Sequence, residues 1–234
     1  MRKIDKITSL PECLTKWIAR KQPSGKAKYK EFKGTTCAIE FRQVLIDEQF
    51  GLCAYTGSRI ENGANALTEH IYPRAWTEKE LGSDYGKKAD KDLDYQNMLA
   101  ALNAKSSKDE TYGAHAKDDD YDEQLFVSPL DIVCESAFIY EENGKIAWHD
   151  GKGEYTVNLL KLWHPTLIKE RAGAIKAYFP NPEDEDFPFP SLEEIKTIAK
   201  TIMNPVDGRL APFCFVIKAV AESYLASNST PTTP

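Results

Sequence analysis

ALTEHIYPRAW (66–76) and DLDYQNMLAALN (92–103), separated by a polar stretch, decide how this chain is read. TEHIYP (68–73) alternates apolar and polar residues and stops at a proline, as a short strand does. On a strand, neighbouring side chains face opposite ways, so Glu69 and His70 can serve different purposes. His70 suits the activation of a water, because imidazole titrates near neutral pH. Glu69 suits a hard cation such as Mg²⁺, which prefers carboxylate oxygen and keeps several waters. The second stretch predicts a helix over about 94–103. Asp92 or Asp94 would cap its open N–H groups, and Leu93, Met98 and Leu99 would pack inward. Asn97 would lie in its first turns, facing the strand. A Glu-His pair alone is commonplace on surfaces and in cores; the following proline, and an Asn beyond a polar loop, make this one more specific.

Composition sets the outer bounds. The chain has 234 residues, 41% hydrophobic and 28% charged, which is ordinary for a soluble globular protein with one large or two small cores. It holds no run of eighteen apolar residues and its first residues, MRKIDKITSL, lack the apolar stretch of a signal peptide. A cytoplasmic protein with no membrane partner is the expectation. The five cysteines, at 13, 37, 53, 134 and 214, are odd in number and widely spaced, against a disulfide framework or a simple zinc ribbon. Net charge is −6. Residues 1–50 nonetheless carry eleven Lys and Arg against six Asp and Glu, which leaves −11 on the remainder. DDDYDE (118–123) is an acidic run. A basic N-terminal face would meet phosphates, while most such charges are simply solvated helix faces.

The flanking chain reads as helical on both sides. Leu10, Leu14, Trp17 and Ile18 recur at helical spacing over 10–21, with Ser9 and Pro11 at the start and QPSGK (22–26) at the end. A second helix is expected over 36–49, with Ile39, Phe41, Val44 and Leu45 inward and Gly51 beyond it. LCAYTGSRI (52–60) predicts a hairpin or knuckle. Residues 77–92 and 103–123 read as loops. SAFIYEENGKIAWH (136–149) predicts a hairpin turning at Asn143-Gly144. YTVNLLKLWHPTLIKERAGAIKAYF (155–179) predicts a strand or turn, then a helix from about His164. SLEE (191–194) is a capping box opening a helix to about Met203. A last helix is expected over 211–226, and a disordered tail over 227–234.

Several pieces together resemble one family, the PtuB-type HNH nucleases of Septu and retron-linked anti-phage systems. They are LCAYTG (52–57), EHIYPR (69–74), LDYQNMLAALN (93–103), YGAHAK (112–117), SPL (128–130), FIYEENGKI (138–146) and VNLLKLWHPTLIKER (157–171). The resemblance implies an α+β fold: an HNH, or ββα-metal, unit over 51–125 embedded in a mostly helical body. That body is a helical segment over 1–50 and a hairpin plus C-terminal helices over 126–226. It also implies a metal-dependent endonuclease hydrolysing DNA or tRNA, working with an ABC-type ATPase like PtuA. In retron-linked members a reverse transcriptase and its RNA–DNA product are implied as a restraint.

Carried over residue by residue, the resemblance implies His70 as general base and Glu69 as ligand to Mg²⁺ or Mn²⁺. Asn97 would hold the loop, point His70 or join the metal. His115, then Asn103, are candidates for the remaining ligand. Arg74 and Lys117 would meet nucleic acid. His149 and His164 read as a strand-end and a helix-start residue. Relatives carry zinc-type cysteines where this chain has only Cys53, with Thr56 and Tyr112 at the other places. One thiolate cannot build a tetrahedral site, so structural zinc is expected to be absent, with packing by Tyr55, Leu102 and Tyr112 in its stead. The alternative is a catalytically inactive adaptor that docks on the ATPase.

Overall fold

The computed structural model describes residues 1–25, 27–74, 92–103, 111–183 and 186–229. It is an α+β fold. The helices are α1 (Glu12–Lys21), α2 (Tyr29–Phe32), α3 (Thr36–Glu48), α4 (Ala114–Lys117), α5 (Gly151–Leu159), α6 (Pro165–Lys176), α7 (Leu192–Thr201) and α8 (Cys214–Ser229). Two antiparallel pairs complete it: β1 (Ala66–His70) with β2 (Met98–Leu102), and β3 (Phe138–Tyr140) with β4 (Ile146–Trp148).

The predicted helix over 94–103 is a strand. A single 3₁₀ turn spans Tyr95–Asn97, capped by the Asp94 side chain on Gln96 N–H, and β2 follows at once. The register pairs Glu69 with Leu99 and His70 with Met98. Met98 to Ala101 are all buried, so this strand is covered on both faces and its sequence shows no alternation. A short unbroken apolar run of that kind has no period with which to tell strand from helix. Position decides instead: both edges of β2 are supplied with partners. Gln49, buried at the end of α3, donates to Ala100 O (2.8 Å) and accepts from Ala100 N (2.8 Å), imitating a strand backbone. Ala54 N also donates to Ala100 O, and Leu102 N to Cys53 Sγ at 3.3 Å.

The remaining expectations meet the structure variously. Leu14 and Trp17 are buried in α1, whereas Leu10 lies before the helix and exposed. Phe41 and Leu45 point inward from α3, whereas Ile39 is exposed. Residues 52–60 form the knuckle, closed by Cys53 N on Ser58 O with Gly57 at φ +78°. The hairpin at 138–148 turns through a wider loop than a two-residue one. Gly144 N bonds Glu141 O, and Gly144 itself takes φ +82° before Lys145 rejoins Glu141. Residues 155–159 belong to helix α5, not to a strand, with the helix capped by Asp150 on Gly153 N–H, and residues 160–163 form the turn before His164. The Ser191–Glu194 capping box is present. The loop expected over 103–123 contains α4, packed into the core, and α8 runs to Ser229, beyond the point where the tail was expected to begin. The loop expected over 77–92 lies outside the described residues except for Asp92, as do 104–110 and 230–234.

The larger core draws on residues from Met1 to Leu167 and the smaller on Leu52 and residues 175–221, so packing does not divide at residue 125.

Candidate active site

A cavity of about 270 Å³ opens at the end of β1. Thr68, Glu69, His70 and Arg74 reach it from β1 and the turn beyond, Tyr29 and Lys33 from α2, and His115, Asp118 and Asp119 from α4 and its exit. Thr68 lies two residues before His70 on the same strand, and its hydroxyl is buried with no hydrogen-bond partner among the described residues.

His70 is 5% exposed. Its ring meets Tyr29 edge-on, centroids 4.6 Å apart, and Nε2 lies 3.1 Å from the Asp92 carbonyl oxygen. A carbonyl only accepts, so this contact selects the tautomer with the proton on Nε2 and leaves the lone pair on Nδ1. Burial drives the imidazole from its ordinary value of 6.5 down to about 3, helped by the positive charges of Arg74 and Lys117, while the Asp92 contact opposes the shift. Tyr29 is the residue that the sequence reading missed. Its N–H is held by the Asp92 carboxylate at 2.7 Å, so Asp92 ties α2 to His70 rather than capping a helix. The Arg74 guanidinium lies over the Tyr29 ring at 4.7 Å. Nothing in YKEFK announces this, because the contact joins residues 41 apart in sequence.

Glu69 lines the same cavity, but its carboxylate has partners different from those of the His70 ring. It is 7% exposed, takes Tyr55 OH at 3.0 Å on Oε1, and lies 3.1 Å from Lys117 Nζ on the same oxygen. Burial pushes its carboxyl above the ordinary value, while Lys117 and then Tyr55 pull it back. Lys117 has no surface left with which to meet a phosphate: its side chain is 0% exposed, and Nζ also donates to His70 O at 3.0 Å. Arg74 does stand at the surface, beside the cavity.

Asn97 clamps the turn after β1. Its Oδ1 accepts from Tyr72 N at 2.8 Å and its Nδ2 donates to Tyr72 O at 3.2 Å. Of the three roles expected for it, these contacts fit the loop-holding one. His115 and Asn103 are brought together, Nε2 to Oδ1 at 3.1 Å. Thr56 lies close to Gly113, and a Cβ added to Gly113 would lie 3.3 Å from Thr56 Cγ2. Tyr112 stacks on His164, whose Nδ1 accepts from Thr166 N at the start of α6.

The donor types on the cavity wall, carboxylate oxygen and imidazole nitrogen, suit a hard or borderline divalent cation. Among the described residues, however, no three His, Cys, Asp or Glu side chains are grouped to hold one. A cation here would take part of its shell from water and substrate, as Mg²⁺ does.

Compared with known proteins, the chain matches no protein-family model and no curated protein. Among the described residues no helix is long and apolar enough to cross a membrane.

Proposed function

We propose that this chain is an HNH-type endonuclease that hydrolyses phosphodiester bonds in DNA or tRNA. The order β1, β2, α4 supports a ββα reading, with α4 taking the place assigned to residues 94–103 from sequence. The observation that carries the proposal is the setting of His70. It sits on the wall of a cavity that also holds Lys33, Arg74 and His115, with Nε2 committed to a carbonyl and Nδ1 left as acceptor. In this reading Nδ1 takes the proton of the attacking water. A base near 3 is weak for that task at neutral pH. A phosphodiester entering the cavity brings negative charge beside the ring and raises its basicity, opposing Arg74 and Lys117. Lys33 and Arg74 hold the phosphate, and Asn97 keeps the turn after His70 in place. His115, with Asn103 behind it, would hold Mg²⁺ or Mn²⁺, which when bound supplies charge stabilisation at the phosphate and the leaving oxygen.

Partnership with an ABC-type ATPase, and control by a retron reverse transcriptase and its RNA–DNA product, rest on the sequence resemblance alone.

A second reading, an inactive adaptor docked on that ATPase, is favoured by the duties of Glu69 and Asn97. Both have structural work that would preserve them without catalysis. The two readings part on one experiment. The purified chain, alone and with the proteins encoded beside it, is incubated with plasmid, single-stranded DNA and tRNA in Mg²⁺ or Mn²⁺. Cleavage by wild type and none by a folded His70→Ala variant supports the nuclease. Equal cleavage by both removes His70 from the chemistry, and no cleavage in any mixture favours the adaptor.

A further inference from the structure

The Lys117 side chain is fully buried. A buried ammonium must have its charge balanced inside the protein, and Glu69 is the acidic side chain that does so among the described residues. The second donation, to His70 O, ties the last residue of α4 to the last residue of β1. Tyr55 completes the arrangement by donating to the same Glu69 oxygen, and the Tyr121 ring lies 5.7 Å from Nζ. We infer that Glu69 is the counter-ion of Lys117 rather than a metal ligand, and that Lys117 is a positioning residue for the His70 end of β1. The second half rests on the reading of His70 as the reacting group. A divalent cation bound at Glu69 would stand within a few ångströms of the ammonium, and like charges at that range repel strongly in a poorly solvated site. A metal in this cavity therefore draws on the His115 side.

The test is a charge cycle in the full chain: Glu69→Gln, Lys117→Met and the double variant. Each single change leaves one buried charge without its partner, and should lower Tm by roughly 6–20 °C. The double variant removes both charges and should lose less than half of the two single losses together. A double variant that falls as far as their sum overturns the pairing. Mn²⁺ binding, followed by the EPR signal of the free ion, addresses the ligand question even if the singles fold poorly. The double variant should bind within about threefold of wild type; a loss of tenfold or more would make Glu69 a ligand. Positioning is read from the ¹⁵N resonances of the His70 ring, which should move in the double variant and stay in place in Lys196→Met, an exposed control. Unmoved resonances in the double variant overturn that half. His70→Ala separates the two readings: if it cleaves like wild type, the nuclease proposal fails while the thermal cycle still reports on the pair.

Discussion

His70 and Asn97 illustrate how much a single side chain can be asked to do. Buried neutral, His70 has a folded value of about 3, below the 6.5 of the unfolded chain. Between those pH values the unfolded state binds the extra proton, so the stability contributed by neutral His70 falls as pH drops through this window, and that contribution is constant above about 6.5. The slope is up to about 1.4 kcal/mol per pH unit. Thermal melts from pH 7 to pH 4 should show wild type losing Tm more steeply than His70→Gln. The same substitution should lower the cleavage rate by about 10²–10⁴-fold at neutral pH, in the range expected for losing a general base. Asn97 is 3% exposed and bonds both backbone polar groups of Tyr72. Asn97→Ala removes both of these bonds and should cost about 1–3 kcal/mol in urea unfolding, with a fall in cleavage if the turn loosens around His70.

At the scale of elements, β2 depends on a side chain from another element. Gln49 bonds Ala100 through both N–H and C=O and also donates to Leu52 O at 2.7 Å, so one amide joins α3, the knuckle and the strand. Gln49→Ala should destabilise by about 2–3 kcal/mol, measured as a lower urea midpoint at unchanged slope. The β-hairpin at 138–148 was legible because Asn143-Gly144 sits between two short apolar runs, and the α7 capping box because Ser191 and Glu194 are local. The strand β2 was misread as a helix because nothing within Met98–Leu102 distinguishes the two. Helix α4 was misread as loop because its buried residues are Ala114, which is small, and Lys117, a residue type ordinarily found at the surface.

At the scale of the whole molecule, the C-terminal helices belong to the body of the fold. Phe213 N donates to Gly57 O in the knuckle, and Arg59 donates to Leu210 O. Leu52, Ile175 and Phe179 are buried together with residues of α7 and α8. Deleting residues 191–234 uncovers this core, so a truncated chain should lose its cooperative thermal transition and aggregate, as circular dichroism and size-exclusion chromatography would show.

By itself the sequence determined what local patterns can encode. These are the amphipathic α1, the knuckle at 52–60, a strand carrying Glu69 and His70, the hairpin at 138–148 and the capped α7. It also singled out His70, Glu69, Asn97 and His115 as residues to watch. The tertiary structure alone decided what each of them does. It turned 98–102 into a strand by placing partners on both of its edges, and brought Tyr29 against His70 from 41 residues away. It also placed the ammonium of Lys117 on Glu69, where the sequence suggested a metal. These outcomes depend on which groups meet after burial, and the cost of burying an unpaired charge or hydrogen-bonding group selects among them only when the whole chain is folded.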